Sequence, residues 1–230
     1  MRGKLVIVDG LDGAGKSQAM KGLIQWARDQ QKSVFDLRKY QNETGKIGSF
    51  EGFKQADVII STEPTLSGIG KVIKNVLIRE SGYSGVSIAQ AFAIDREIHY
   101  KRIIIPALEA GKLIFQERGL TTSFVYQPLQ IHIPLRELMG LPGNKLSLKY
   151  PPALIIVCLA DPEYLIARSS GGQQIFENLT FQRNLFHRYK SEWLRGLFSS
   201  SIFKYIITNP PMSSEDTMLA ARRIWEQLIS

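Results

Sequence analysis

A chain of 230 residues is long enough for a full hydrophobic core and is expected to form one domain, with or without an insertion. Its 44% hydrophobic and 22% charged residues are those of a soluble globular protein, which excludes a low-complexity or fibrous chain. Lys and Arg outnumber Asp and Glu by 29 to 21, a net charge of +8; this suits a polyanionic ligand such as a nucleotide, and equally a generally basic surface.

The chain opens on Leu5–Val8, a short apolar run rich in β-branched residues, which reads as a buried parallel strand. No long apolar leader precedes it, so a cytoplasmic location is expected. The run breaks at Gly10-Leu-Asp-Gly-Ala-Gly-Lys-Ser17, which fits the phosphate-loop pattern G-x-x-x-x-G-K-[ST] in full. A phosphate needs several backbone N–H groups aimed at one point, and Gly10, Gly13 and Gly15 let the backbone take that shape. The helix expected from Lys16 to about residue 30 adds its positive N-terminal end. Lys16 supplies a charge for the β- and γ-phosphate oxygens, and the Ser17 hydroxyl is placed to ligate Mg²⁺. The whole stretch, with Leu11, Asp12, Ala14 and Gln18, is therefore the expected ATP cradle.

Further strands are expected at Ser33–Leu37, Val58–Ser61, Leu113–Gln116, Leu154–Leu159 and Phe203–Ile207. Helices are expected over about 68–78, 87–110, 121–127, 161–168, 177–195 and 214–229. The alternation predicts an α/β fold, a parallel sheet of about five strands with helices on both faces. Periodicity fails over 40–57 and again over 127–152, and both are expected to be irregular. Ser169-Ser-Gly-Gly-Gln-Gln174 reads as a mobile lid or a plain linker. Cys158, the only cysteine, excludes an intrachain disulfide and reads as a buried structural thiol. Apolar runs such as 153–160 are too short to cross a membrane.

Several short stretches carry candidate chemistry. Thr62-Glu63-Pro64-Thr65 falls at the carboxyl end of a strand, the ligand edge of a parallel sheet. Phe92 and Arg96 share a helix face, where a ring and a guanidinium can hold a flat base; a core phenylalanine and a solvated Asp95/Arg96 pair fit the same spacing. Glu117 ends the strand beside the phosphate loop and suits a carboxylate acting on Mg²⁺ or its waters. Arg118 points to the same edge and could grip a phosphate. Thr121, Thr122, Ser123, Tyr126 and Gln127 follow as a polar cluster, or as a capped helix start.

In this order the motifs resemble those of the thymidylate kinase family. The pieces are Asp9–Ser17, Thr62-Glu-Pro-Thr65, Phe92-Ala-Ile-Asp-Arg96, Ile105-Pro-Ala-Leu-Glu-Ala-Gly-Lys112, Glu117-Arg118 with Thr122–Gln127, Leu159-Ala-Asp-Pro162, and Asn209. The resemblance implies a phosphate-loop, three-layer fold like that of other nucleoside monophosphate kinases. It also implies transfer of the γ-phosphoryl of ATP to dTMP with Mg²⁺, a homodimer, and no membrane or nucleic-acid partner. Chain 1–230 would be one kinase domain, with an insertion at about 40–57 and a lid at about 169–177. Asp12 would contact the sugar hydroxyl, Phe92 would stack on thymine, and Arg96 would hydrogen-bond it. Arg118 would hold the acceptor phosphate, Thr122, Ser123 and Tyr126 would line the pocket, and Glu63 and Pro64 would shape its phosphate side. ATP's adenine would lie near Asn209. A kinase for another nucleoside monophosphate, or a nucleotide-binding protein without turnover, stays open.

Four departures from the family pattern stand out. Glu117-Arg118-Gly119 replaces the usual Asp-Arg-Tyr or Asp-Arg-His, Gln18 replaces a threonine, and 40–57 looks inserted. The family's transition-state arginine is absent from the loop positions Leu11, Asp12, Gly13 and Ala14. Arg168, at the lid hinge, is the expected replacement, with Arg183 as the second choice.

Overall fold

The structure, a computed structural model, describes residues 3–80, 82–168, 175–208 and 213–229, without the side chains of Arg168 and residues 175–178. The expected lid, with Gln173 and Gln174, and the expected adenine contact Asn209 lie outside the described residues.

The order is β1 (Lys4–Gly10), α1 (Lys16–Asp29), β2 (Val34–Asp36), α2 (Leu37–Thr44), a 3₁₀ turn Phe50–Phe53, β3 (Val58–Thr62) and α3 (Gly68–Val72). There follow α4 (Gly85–His99), α5 (Ile105–Glu109), β4 (Leu113–Glu117), α6 (Leu120–Gln130), α7 (Leu135–Gly140) and α8 (Pro142–Lys149). The chain closes with β5 (Leu154–Ala160), α9 (Pro162–Arg168), α10 (Ile175–Lys190), α11 (Glu192–Leu197), β6 (Ile202–Thr208) and α12 (Ser214–Ile229). All six strand runs join one parallel sheet in the order β2-β3-β4-β1-β5-β6, one more than the about five expected. The sixth is β2, a three-residue edge strand paired to β3.

β1 and β5 are buried almost throughout, as their unbroken apolar runs require. Helices cover both faces. On one, Phe115 of β4 meets Trp26 of α1 at 6.2 Å and Trp225 of α12 at 5.5 Å, and the two tryptophans pack edge-on at 5.4 Å. On the other, the next side chain along β4, Gln116, contacts His99 of α4. The chain leaves β1 toward β4 and β2 but reaches β5 on the opposite side, so the strand order reverses between β1 and β4. The crevice at the carboxyl ends of those two strands is where such sheets bind ligands.

Two segments expected to be irregular are helical. Residues 37–44 form α2, whose N-cap Asp36 accepts from Arg38 N at 3.0 Å and Lys39 N at 3.4 Å, and Gly45 ends it at φ 68°. The helix is short and polar, and only Leu37 and Gln41 are buried. Gln41 fills an apolar slot by bonding Ile47 O at 3.1 Å and Leu66 N at 3.0 Å, which hides the period. Within 127–152, α7 and α8 form despite the prolines, because Pro134 precedes one and Pro142 opens the other. The long helix expected over 87–110 is α4 and α5 joined by a π turn, Tyr100–Ile104, with Pro106 in the first turn of α5. The helix expected over 177–195 breaks at Ser191, whose Oγ caps α11 by accepting from Leu194 N.

Candidate active site

The loop after β1 is shaped by its glycines. Gly10 sits at φ 126°, and a Cβ there would stand 1.9 Å from Cys158 O on β5. Gly13 and Gly15 are also at positive φ. Lys16, whose charge is expected to serve the phosphate oxygens, is not a free surface cation here. Its side chain is only 6% exposed, and Nζ donates to Leu11 O at 2.7 Å, to Gly10 O at 3.2 Å and to Asp12 Oδ1 at 3.2 Å. A glycine-rich turn leaves carbonyls facing inward, and the ammonium satisfies them. Burial, with Arg118 adding to it, lowers the Lys16 pKa below 10.5.

Asp9, the residue before this loop, is fully buried and accepts four hydrogen bonds. Oδ1 takes Gly10 N at 2.8 Å, Thr122 Oγ1 at 2.7 Å and Tyr189 Oη at 2.8 Å, and Oδ2 takes Thr121 Oγ1. One carboxylate thus joins the loop to the start of α6 and to α10. No motif flagged Asp9 or Tyr189 for this role, since the partners are about 110 and 180 residues away.

Arg118 follows β4 at φ 65°, fixed by its N donating to Val8 O at 2.8 Å and its O accepting from Gln116 Nε2 at 3.0 Å. Gly119 comes next, where a Cβ would meet Ile7 Cδ1, the flexible end of a side chain, at 2.7 Å. The Arg118 guanidinium is ion-paired to Asp12 and lies 5.6 Å from the Tyr126 ring centre. Burial opposes its charge, yet Asp12 and Asp9 raise its pKa above that of a free guanidinium. Partial desolvation raises the Asp12 carboxyl, but Arg118 and Lys16 more than reverse that, and its pKa falls below 3.8. Across the crevice, Ser17 Oγ and Glu117 Oε1 are 3.4 Å apart.

Two cavities open here. One, about 390 Å³, is lined by Asp12 to Gln18 together with Thr208 and Thr217. Of the expected ATP residues, Gly10 and Leu11 lie beneath it, and Leu11 is fully buried. The other, about 750 Å³, is lined by every residue expected for the acceptor: Asp12, Glu63, Pro64, Phe92, Arg96, Arg118, Thr122, Ser123 and Tyr126. Asp12, Glu117 and Arg118 line both.

Arg96 is 1% exposed and held on three sides. Nε donates to Glu63 Oε2 at 2.8 Å, Nη2 to Ser123 Oγ at 2.8 Å, and Nη1 to Asn144 Oδ1. Asp95 is no solvated partner of Arg96; it accepts from Thr65 N at 2.8 Å and Thr65 Oγ1 at 2.6 Å, locking α4 to the Thr62–Thr65 turn. Gln127 is 5% exposed, and neither its Oε1 nor its Nε2 has a hydrogen-bond partner among the described residues. Two cations on the wall went unread in the sequence. Arg38 follows the strand expected at Ser33–Leu37, but no motif marks it, although Asp36 before a polar helix was a usable capping signal. Lys74 stands on the turn after α3, half-buried, with no carboxylate within ion-pair distance among the described residues.

The chain was compared with known proteins. The family model described as thymidylate kinase matches residues 48–212. The chain belongs to the thymidylate kinase family. A Pyrococcus horikoshii relative described as "Probable thymidylate kinase" is 33% identical over 132 residues, 55% of this chain and 53% of that protein. The chain thus spans about half the length of that relative. The thymidylate kinase of Symbiobacterium thermophilum is 25% identical over 223 residues, 96% of this chain and 92% of that one. The crystal structure of Ehrlichia chaffeensis thymidylate kinase superposes with a TM-score of 0.63 at 16% identity, over 98% of this chain and 99% of that one, which is a likeness of fold. Among the described residues, no helix is long and apolar enough to cross a membrane.

Proposed function

We propose that this thymidylate kinase family chain transfers the γ-phosphoryl group of ATP to dTMP. The observation that carries the reading is the wall shared by the two cavities. Asp12, Glu117 and Arg118 face both, so a donor phosphate on the loop and an acceptor phosphate beside Arg118 meet across them. Transfer between them needs positioning and charge neutralisation more than covalent help. The acceptor phosphate is already an anion, so no general base is required.

Lys16 leaves the loop carbonyls to follow the β- and γ-oxygens, and Arg118 holds the acceptor phosphate. Asp12 orients Arg118 and faces the sugar. Phe92 offers a ring face to the base, while the unpaired Gln127 amide and the Arg96–Ser123 pair offer donors and an acceptor to its edge. An amide with both atoms free suits a base edge that carries a donor beside an acceptor, as thymine and uracil do. Ser17 and Glu117, two oxygens at 3.4 Å, fit Mg²⁺, which keeps waters and takes phosphate oxygens as its other ligands. When bound, Mg²⁺ neutralises charge on the transferred group. The acting unit is a homodimer.

The test is ADP release with ATP and Mg²⁺ against dTMP, dUMP, dCMP, dAMP and dGMP. The dTMP reaction is expected to have the highest kcat/KM, with dUMP next. ADP release no faster with any monophosphate than without one would defeat the reading.

A further inference from the structure

The cations of the acceptor cavity outnumber those that the motifs supply. We propose that Arg38, carried in by α2, is a ligand of the acceptor's phosphate group; this rests on the reading that the larger cavity takes a nucleoside monophosphate.

The placement follows from the sheet. β2 pairs with β3 in the register Asp36↔Ile60, and β3 pairs with β4 in the register Thr62↔Glu117. The chain turns from Asp36 straight into α2, so Arg38 emerges at the carboxyl edge that also carries Thr62 and Glu117. Asp36 fixes it twice. Its carboxylate accepts the Arg38 backbone N at 3.0 Å, and it takes the side chain in a fork, Nε at 3.0 Å and Nη2 at 2.8 Å.

A guanidinium has five N–H donors, and this fork uses two. The remaining donors are at the cavity wall. Nη1 stands 3.9 Å from Glu117 Oε2, too far for a hydrogen bond but within the same field. The side chain is 24% exposed, so it is oriented by the protein yet open to a ligand. The cavity wall carries four cations, Arg38, Lys74, Arg96 and Arg118, and four carboxylates, Asp12, Glu63, Glu80 and Glu117. Glu63 and Arg96 neutralise one another. A phosphate entering this balanced wall takes its cations from Arg38, Lys74 and Arg118. A planar fork with spare N–H groups, held still by a carboxylate behind it, is the arrangement that suits a phosphate.

The alternative is that Arg38 only locks the start of α2. Binding of dTMP and of thymidine, measured by calorimetry on the parental chain and on Arg38→Gln and Arg38→Lys, separates the two. The proposal expects Arg38→Gln to weaken dTMP about tenfold or more, as for loss of a charge-assisted contact, and thymidine less than twofold. Arg38→Lys should recover part of the dTMP affinity, because it keeps the charge and loses the fork. In turnover, KM for dTMP should rise while KM for ATP stays. Equal losses for both ligands, or none for either, would overturn the proposal and leave the dTMP reading standing. A parental chain that bound no monophosphate of the panel would overturn both. Should Arg38→Gln fail to fold, Arg38→Lys decides by the same dTMP-to-thymidine comparison.

Discussion

Lys16 holds two jobs that its position makes separable. It sits among loop carbonyls, a buried cation with a lowered pKa, and in the proposed reaction it would follow the phosphates. The unfolded chain binds that proton more tightly than the folded one. The stability this group contributes therefore grows as pH rises from its lowered value toward 10.5, and below that range the ammonium weighs against folding. Lys16→Met is expected to cut turnover at least about a hundredfold, roughly 2.7 kcal/mol of barrier. Its urea midpoint at pH 7 should be unchanged or higher, and its alkaline rise in stability should be smaller than the parental one. A joint loss of stability and activity would contradict this. The loop itself was legible because eight consecutive residues carry its whole pattern. The Lys16 position was not, because only folded geometry turns the carbonyls of Gly10 and Leu11 toward it.

At the scale of elements, the Asp9 carboxylate is the tie. It gathers a loop, the first turn of α6 and the side of α10 into one hydrogen-bonded group. Tyr189→Phe removes one of four donors and should lower stability by about 1–2 kcal/mol. Asp9→Ala strands all four and should lower it by roughly 3 kcal/mol or more, since a buried donor left unpaired carries the full desolvation cost. Urea denaturation measures both, and equal losses would show that the carboxylate is not the hub. Strands and long helices were readable because apolar periods marked them, and all six strand runs form. The elements misread are those in which polar groups do the packing. Gln41 holds α2 in place where an apolar residue would have betrayed the helix, and α7 and α8 are shorter than the window in which a period can be seen.

For the whole molecule, α3, α4 and the turns beside them leave Val72, Ile78, Val86 and Ile94 between 48% and 58% exposed. Ile202 and Ile207 on β6 are similarly open, but these four lie together on α3, α4 and the turns beside them. They are the surface on which the proposed homodimer would pair, and α4 also carries Phe92. Sedimentation is expected to give twice the chain mass, and the double variant Val86→Glu with Ile94→Glu is expected to shift it to the monomer. A parental monomer at micromolar concentration would remove the homodimer from the proposal. A pairing face was not legible in the periods, because α4 is apolar on more than one side and its pattern alone does not say which side would meet another chain.

Asp12 comes just after β1, Glu117 ends β4 and Arg118 follows it. Those two strands are hydrogen-bonded neighbours with Val8 opposite Glu117. On the proposed reading, the donor's seat on the loop after β1 and the acceptor's beside Arg118 are carried by neighbouring strands whose rung spacing is about 4.8 Å. A covering segment can shut water out or bring a cation near, but it cannot lengthen or shorten that rung. Surface loops can then drift in sequence while the two seats stay in gauge.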